Sequence, residues 1–291
     1  MSDIFTPAFF TRLQQLKIYT RRSYLGSRQG AHISKRRGHG LEFADYRTYV
    51  AGDDYRHIDW GVYGRTDRLY LKEFREEQEL QTLFLVDSSA SMACPEVKFA
   101  TARDLAISLG YVALSNGDSA AFSFLGKSIT PKFFGVRALS RIIRQAQTIS
   151  PSGKHALDRE ITLSLGKIRI PGKAFLISDL LVPLPEFVRA CEAVQGRNFE
   201  LSVIQVLAPG ELKLDSDDRS SSVLVDAESG EELEMSLSPE LDFDYAKKLS
   251  DHLHQIERYC HSRGIGYALV STTQSVSQIV LNTLPELGLL R

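Results

Sequence analysis

"TLFLVDSSASM", residues 82–92, is an apolar run that ends on Asp87, with Ser89 and Ser91 following in alternation. A short continuous apolar run bounded by small polar residues reads as a fully buried strand. Three chemistries fit the oxygens just beyond it: a phosphoryl-transfer nucleophile, a hydroxyl-rich helix cap, or a shallow cation site of hard oxygens. Phosphoryl transfer from a strand-end aspartate usually needs a second acid two residues on, and position 89 is serine. A Gly-x-Ser-x-Gly elbow for serine hydrolysis is missing from the sequence.

Outward from this stretch the pattern is regular. Apolar runs at 82–86, 174–178, 201–207 and 267–271 alternate with amphipathic stretches near 95–115, 136–148, 157–167, 185–195, 239–263 and 275–284. In the first of these, Ala102, Leu105, Ala106, Leu109, Val112 and Ala113 recur at helical spacing, and Pro95 suits a first helical turn. The turn "NGD" (116–118) leads into "SAAFSFLG", which pairs with "SITPKFF" as a hairpin. Buried strands separated by helices predict an α/β fold, a doubly wound and mostly parallel sheet with helices on both faces. Between Pro209 and Pro239 the alternation breaks, and "SSVLVDAESGEELEMSL" reads as a small β-hairpin insertion at 209–238 with its turn near "ESGE".

In such a sheet, ligands bind beyond the carboxyl ends of the strands. Asp179 follows "FLIS" as Asp87 follows "FLV", so parallel strands bring both carboxylates to one edge. Ser89 and Ser91 lie in the loop before the next helix, whose N-terminus faces the same edge. Mg²⁺ or Mn²⁺ suits hydroxyls and carboxylates with one open position.

Residues 1–80 differ from the rest and form a predicted lead-in segment ahead of an 81–291 domain. A short helix near 7–20 precedes a Gly- and Arg-rich loop, "GSRQGAHISKRRGHG". The following aromatic stretch contains "GDDYRHIDW", where Asp53, Asp54 and Asp59 have Arg47, Arg56 and Arg65 as expected partners. Trp60 is expected to anchor the segment by burial, and the same residues could form a partner-docking surface.

Bulk properties narrow the classes. The chain has 291 residues, 43% hydrophobic, and a formal net charge of −1, so its overall charge names no partner. Between Phe5 and Leu41 no acid occurs, whereas Arg12, Lys17, Arg21, Arg22, Arg28, Lys35, Arg36 and Arg37 do. That block reads as a solvated or partner-facing surface ahead of a nucleic-acid arm, since basic residues without interleaved aromatics stack bases poorly. Cys94, Cys191 and Cys260 are odd in number and widely spaced, which fits a reducing compartment. With neither a signal-peptide pattern nor an apolar segment near ~20 residues, the expectation is a soluble cytoplasmic protein without an integral membrane segment. His252, His254, Cys260 and His261 are read as helix surface, because their offsets do not place four ligands on one face.

The strand-end residues resemble the metal-ion-dependent adhesion site of von Willebrand factor A domains, which reads Asp-x-Ser-x-Ser after the first strand, threonine in a later loop, and aspartate after a later strand. Asp87, Ser89 and Ser91 match the first element and Asp179 the last. The middle loop reads "SGKHALD", so His155 stands where threonine is usual, near Ser152 and Lys154. Imidazole is a softer ligand than a hydroxyl. A cation would therefore use His155, Ser152 or water there, or the site has decayed. From "GHGLEFADYRTYVAGDDYRHIDWGVYGRTDRLYLKEFREEQEL" into "FLVDSSASM" the chain also resembles the bacterial family called domain of unknown function 58. Gly38, Gly40, Glu42, Phe43, Arg47, Tyr49, Gly52, Asp53, Asp54, Arg56, Ile58, Asp59, Trp60 and Arg65 carry that likeness. The resemblance implies a non-enzymatic accessory or adaptor role beside a MoxR-type AAA+ ATPase in a chaperone-like system. A bound cation at Asp87, Ser89, Ser91 and Asp179 would be completed by a carboxylate from the protein partner. Competing readings are nucleic-acid binding through residues 12–37 and a metal-dependent hydrolase with His155 as its only evident base.

Overall fold

The structure, a computed structural model, describes residues 4–21, 29–38, 42–168, 171–212, 222–225, 232–235 and 239–291. The chain forms two compact units, one of residues 1–21 and 81–291, the other of residues 22–80. One division falls between residues 80 and 81, and residues 1–21 group with the larger unit. Helix α1 (Pro7–Leu13) is capped by Thr6, whose Oγ1 accepts from the Phe9 N–H at 3.2 Å. It stops well short of the expected residue 20. Beyond it Lys17 and Arg291 exchange backbone hydrogen bonds, and Ile18 bridges Leu290. Phe9, Leu13 and Ile18 are buried, and the Phe10 ring lies 4.6 Å from that of Tyr111. Their apolar surface is what ties the N-terminus to this unit.

In the unit of residues 22–80, strands β1 (Gln29–Gly38), β2 (Glu42–Thr48) and β3 (Tyr70–Gln78) form an antiparallel sheet in the order β1-β3-β2, and α2 (Trp60–Thr66) lies between β2 and β3 in sequence. Strand β1 occupies part of the stretch expected to be a loop. Its pairing with β3 is broken by register shifts, so its sequence lacks the clean period-two signal of a strand. Arg22, Arg28 and Gly40 lie outside the described residues.

The larger unit continues with β4 (Gln81–Val86), α3 (Glu96–Ser115), β5 (Ser119–Phe124), β6 (Ser128–Ile129), β7 (Phe133–Phe134), α4 (Leu139–Gln147), α5 (Leu157–Gly166), β8 (Lys173–Ser178), α6 (Leu184–Gly196), β9 (Glu200–Leu207) and α7 (Pro209–Leu212). A hairpin of β10 (Ser222–Val225) and β11 (Glu232–Met235) follows, then α8 (Pro239–Ser262) and β12 (Gly266–Ser271), and a helical stretch over 276–286. The hairpin is the expected insertion, and its "ESGE" turn lies outside the described residues.

The main sheet has the order β12-β9-β8-β4-β5-β6, with β7 also on β5; β6 and β7 are antiparallel and the others parallel. Strands β4, β5 and β8 are buried at every position, which is why their sequences show apolar runs and no alternation. Phe84 stacks between Phe122 at 5.0 Å and Phe175 at 5.6 Å, one ring from each of three neighbouring strands. Gly110 on α3 lets that stack approach the helix, since a Cβ there would sit 2.4 Å from Phe122 Cζ. This is a doubly wound, mostly parallel α/β architecture. Its strand order reverses between β4 and β8, the switch point where such sheets open a crevice. No helix among the described residues is long and apolar enough to cross a membrane.

Candidate cation site

Strands β4 and β8 run parallel in register from Thr82↔Lys173 to Val86↔Ile177, and the ladder continues as the Asp87 N–H donates to the Ile177 carbonyl at 2.9 Å. Asp87 and Asp179 therefore leave neighbouring strands at one edge, buried at 6% and 1% exposure. The loop after β4 is pinned on its far side. Ser88 Oγ donates to the Leu125 carbonyl, while Ser152 N donates to Ser88 O and Ala90 N to Gly153 O. That fixes Ser89 and Ser91, whose hydroxyl oxygens lie 3.0 Å apart.

Asp87 is held by donors. Its Oδ1 accepts from the Ser89 N–H at 2.9 Å, and its Oδ2 from the Ser178 hydroxyl at 2.6 Å. Ser178 Oγ in turn accepts from Leu180 N–H. Leu180 is fully buried and adopts a left-handed backbone with φ 54°, a strained conformation for leucine. Its carbonyl accepts from His252 Nε2 on α8 at 2.8 Å, one bond that keeps this turn in place.

Asp87, Ser89, Ser91 and Asp179 share a cavity of about 20 Å³, room for roughly one water-sized occupant. His155 and Glu160 also line it. Burial pushes the Asp87 carboxyl above the usual range, and the Asp179 carboxylate pushes it further; the Ser178 and Ser89 hydrogen bonds oppose both without cancelling them. A positive charge in the cavity would relieve this conflict. Hydroxyls and carboxylates are hard ligands, so the donor set fits Mg²⁺ or Mn²⁺. Among the described residues, no group of three or more His, Cys, Asp or Glu could hold a metal, so a cation here must draw on the serine hydroxyls.

His155 reaches the cavity, but its Nε2 lies 3.0 Å from the Ser152 carbonyl, to which it donates. Its ring packs against Gly126 and Gly153, where added Cβ atoms would come within 2.5 Å and 3.3 Å of Nε2. The side chain at the usual threonine position thus acts as a wall, with that nitrogen already committed. Ser152 turns to Lys127 Nζ, at 2.5 Å.

Three participants went unread in the sequence. Lys98, fully buried, places its ammonium 2.9 Å from Asp179 Oδ2 and 2.5 Å from Glu211 Oε1. Burial works against this charge, but the two carboxylates outweigh it and raise the lysine pKa. Lys98 does not line the cavity, so the ammonium meets Asp179 without filling the space shared with Asp87. Its signal was its place in the first turn of α3, the helix whose N-terminus was expected at this edge. Ser178 had a weaker signal, as the residue before Asp179. Glu211 lay inside the stretch read as an insertion and had none.

The second expected cluster is partly assembled within the unit of residues 22–80. Arg47 pairs with Asp53 at 2.8 Å, and Arg56 with Asp54 at 2.6 Å. Hydrogen bonds from these guanidiniums hold both carboxyls below the usual range. Asp59 instead caps α2, accepting from Gly61 N and Val62 N, and takes the Tyr46 hydroxyl at 2.8 Å; Arg65 donates to the Gly61 carbonyl. Trp60 is 61% exposed, contrary to its expected burial. It follows Asp59 at the first helical position, and its ring touches the Tyr63 ring edge-on at 6.1 Å.

Several solved structures resemble the chain. BatB of Bacteroides thetaiotaomicron aligns at 16% identity and TM-score 0.43, covering 72% of this chain and 98% of the other. A von Willebrand factor type A protein from Catenulispora acidiphila aligns at 16% and TM-score 0.36, over 46% of this chain and 34% of the other. An aerotolerance-related membrane protein from Bacteroides fragilis gives 14% and 0.42, over 71% and 97%. In sequence, uncharacterized proteins of Mycobacterium bovis and Mycobacterium tuberculosis are each 31% identical over 284 residues, 92% of this chain and 86% of theirs. Residues 45–255 match the family described as protein of unknown function DUF58, and the chain belongs to that family.

Proposed function

We propose that this protein is a non-enzymatic, metal-dependent interaction module. Asp87, Ser89 and Ser91 would hold a hard divalent cation, Mg²⁺ or Mn²⁺, with Asp179 contributing charge from the neighbouring strand. Once bound, such an ion supplies a Lewis-acidic position that takes an oxygen ligand from outside the chain. The observation that carries this reading is the pair of buried carboxylates at adjacent strand ends, facing a single-occupant cavity with two serine hydroxyls. Half-exposed Ser91 and exposed Leu181 at the cavity wall give an incoming group access. The adaptor reading is favoured over a hydrolase because His155, the candidate base, commits its Nε2 to a backbone carbonyl. The partner is a protein presenting an acidic side chain, and the family resemblance points to a MoxR-type AAA+ ATPase. Arg47, Asp53, Asp54, Arg56, Asp59, Trp60 and Arg65 would offer a second docking surface.

The test measures binding of the full-length protein to such an ATPase by calorimetry, with Mg²⁺, with EDTA, and with Asp87→Ala. Both EDTA and the substitution are expected to abolish binding. Binding unchanged by either would overturn the metal-bridged mechanism.

A further inference from the structure

The site contains a fixed positive charge of its own. We propose that Lys98 is the counter-ion that sets the site's cation affinity, holding Asp179 out of direct ligation so that tight binding waits for a carboxylate from outside. This inference rests on the cation reading above.

The geometry carries it in three steps. Both Asp179 oxygens are already engaged: Oδ2 accepts from the Lys98 ammonium at 2.9 Å and Oδ1 from the Leu181 N–H at 3.3 Å. An incoming cation therefore meets an aspartate whose charge is partly neutralised, and reaches it most readily through water. Asp87 accepts from Ser89 and Ser178 but has no ammonium among these partners, so it is the stronger direct ligand. The lysine, in turn, is shared. Glu211 takes the same ammonium at 2.5 Å, and Glu211 is itself placed by the Ala208 N–H on Oε2 and by Tyr245, whose hydroxyl donates to its carbonyl at 3.0 Å. Glu211 draws Lys98 away from Asp179. The charge left on Asp179 for a cation depends on that division.

Opposite effects follow at the two residues. Removing the ammonium frees Asp179, and the site should bind Mn²⁺ more tightly by about tenfold or more, since the attraction of one extra unit charge exceeds that factor at the effective dielectric of about 20 that suits protein sites. Removing the Glu211 charge gives Lys98 wholly to Asp179, and binding should weaken by about threefold or more, a fraction of that full-charge effect because the ammonium already contacts Asp179. A purely structural lysine would not produce a gain of affinity in a variant that loses stability.

The experiment is calorimetric titration of MnCl₂ into EDTA-stripped full-length protein: wild type, Lys98→Met, Glu211→Gln and Asp87→Asn, each checked for folding by circular dichroism. Tighter binding by Lys98→Met and weaker binding by Glu211→Gln support the proposal. Unchanged or weaker binding by a folded Lys98→Met overturns it. Should Lys98→Met not fold, Glu211→Gln decides, and unchanged or tighter binding there overturns it. Wild-type binding that Asp87→Asn leaves intact refutes the site reading itself, whatever the lysine does. Binding seen only in Lys98→Met supports the counter-ion role and refutes a resident cation in the wild type. An absence of binding in every variant overturns both.

Discussion

Glu200→Gln should destabilise the protein far more than Lys173→Met, although the two residues form one ion pair. Lys173 lies on β8 and Glu200 on β9, with the ammonium 2.9 Å from Oε1 and side-chain exposures of 4% and 11%. Among the described residues Glu200 is the ion-pair partner of Lys173, and burial already depresses the lysine pKa. Glutamine keeps the shape but removes the compensating charge, leaving a buried ammonium opposite a neutral amide. Breaking a buried pair in this way costs about 3–5 kcal/mol. The amide also turns an N–H₂ group toward the Arg21 N–H, which now donates to Oε2 at 2.9 Å, beside the Thr20 hydroxyl at 2.8 Å. Losing those bonds adds about 1 kcal/mol each and loosens the N-terminal segment. Lys173→Met leaves Glu200 with both donors and closer to solvent, so its cost is expected near 1–2 kcal/mol. Urea unfolding at pH 7 measures both changes. Equal losses, or a loss below about 1 kcal/mol for Glu200→Gln, would refute the reasoning.

Other predictions concern single side chains. Native protein should show one fast-reacting thiol, Cys94, which is exposed, while Cys191 and Cys260 react only after unfolding; burial pushes both buried thiols up, Cys260 to about 12, so a second fast thiol in the folded state would contradict the structure. Gly110→Ala should cost on the order of 1–3 kcal/mol, because its Cβ would overlap the Phe122 ring held in the central stack; a neutral melting temperature would show that the stack can move aside. The single tryptophan, Trp60, is 61% exposed, so its emission should resemble free tryptophan and be readily quenched by acrylamide, whereas a blue-shifted, protected emission would place it in a core.

The sheet was legible because its strands are buried on both faces. "TLFLV", "AFLIS" and "LSVIQVL" carry no alternation to misread, and α4, α5 and α6 between them have an apolar face, whereas α3 is buried nearly all round. The pairing of Asp87 with Asp179 followed from topology alone, since parallel neighbours must deliver both ends to one edge. What remained hidden depends on contacts distant in sequence. Lys98 meets Asp179 and Glu211 across separations of 81 and 113 residues, and only packing reveals that a buried lysine has found two acids. Trp60 misled for a related reason. A large aromatic in a charged segment is expected to bury its ring, but α2 turns its first position, where Trp60 sits, outward. The place of the N-terminal segment is hard to read because its apolar residues are too few to announce a core of their own, and Phe9, Leu13 and Ile18 join the larger one.

Everything proposed for this protein depends on the Asp87–Asp179 edge taking a divalent cation. The most direct test is the electron paramagnetic resonance of Mn²⁺ added to EDTA-stripped protein, compared with Asp87→Asn. With an excess of acetate supplied as the outside carboxylate, the wild type should take up Mn²⁺ saturably, to one equivalent per chain, at concentrations where the variant leaves the signal undiminished. An undiminished signal in the wild type, or equal uptake by both proteins, would contradict it.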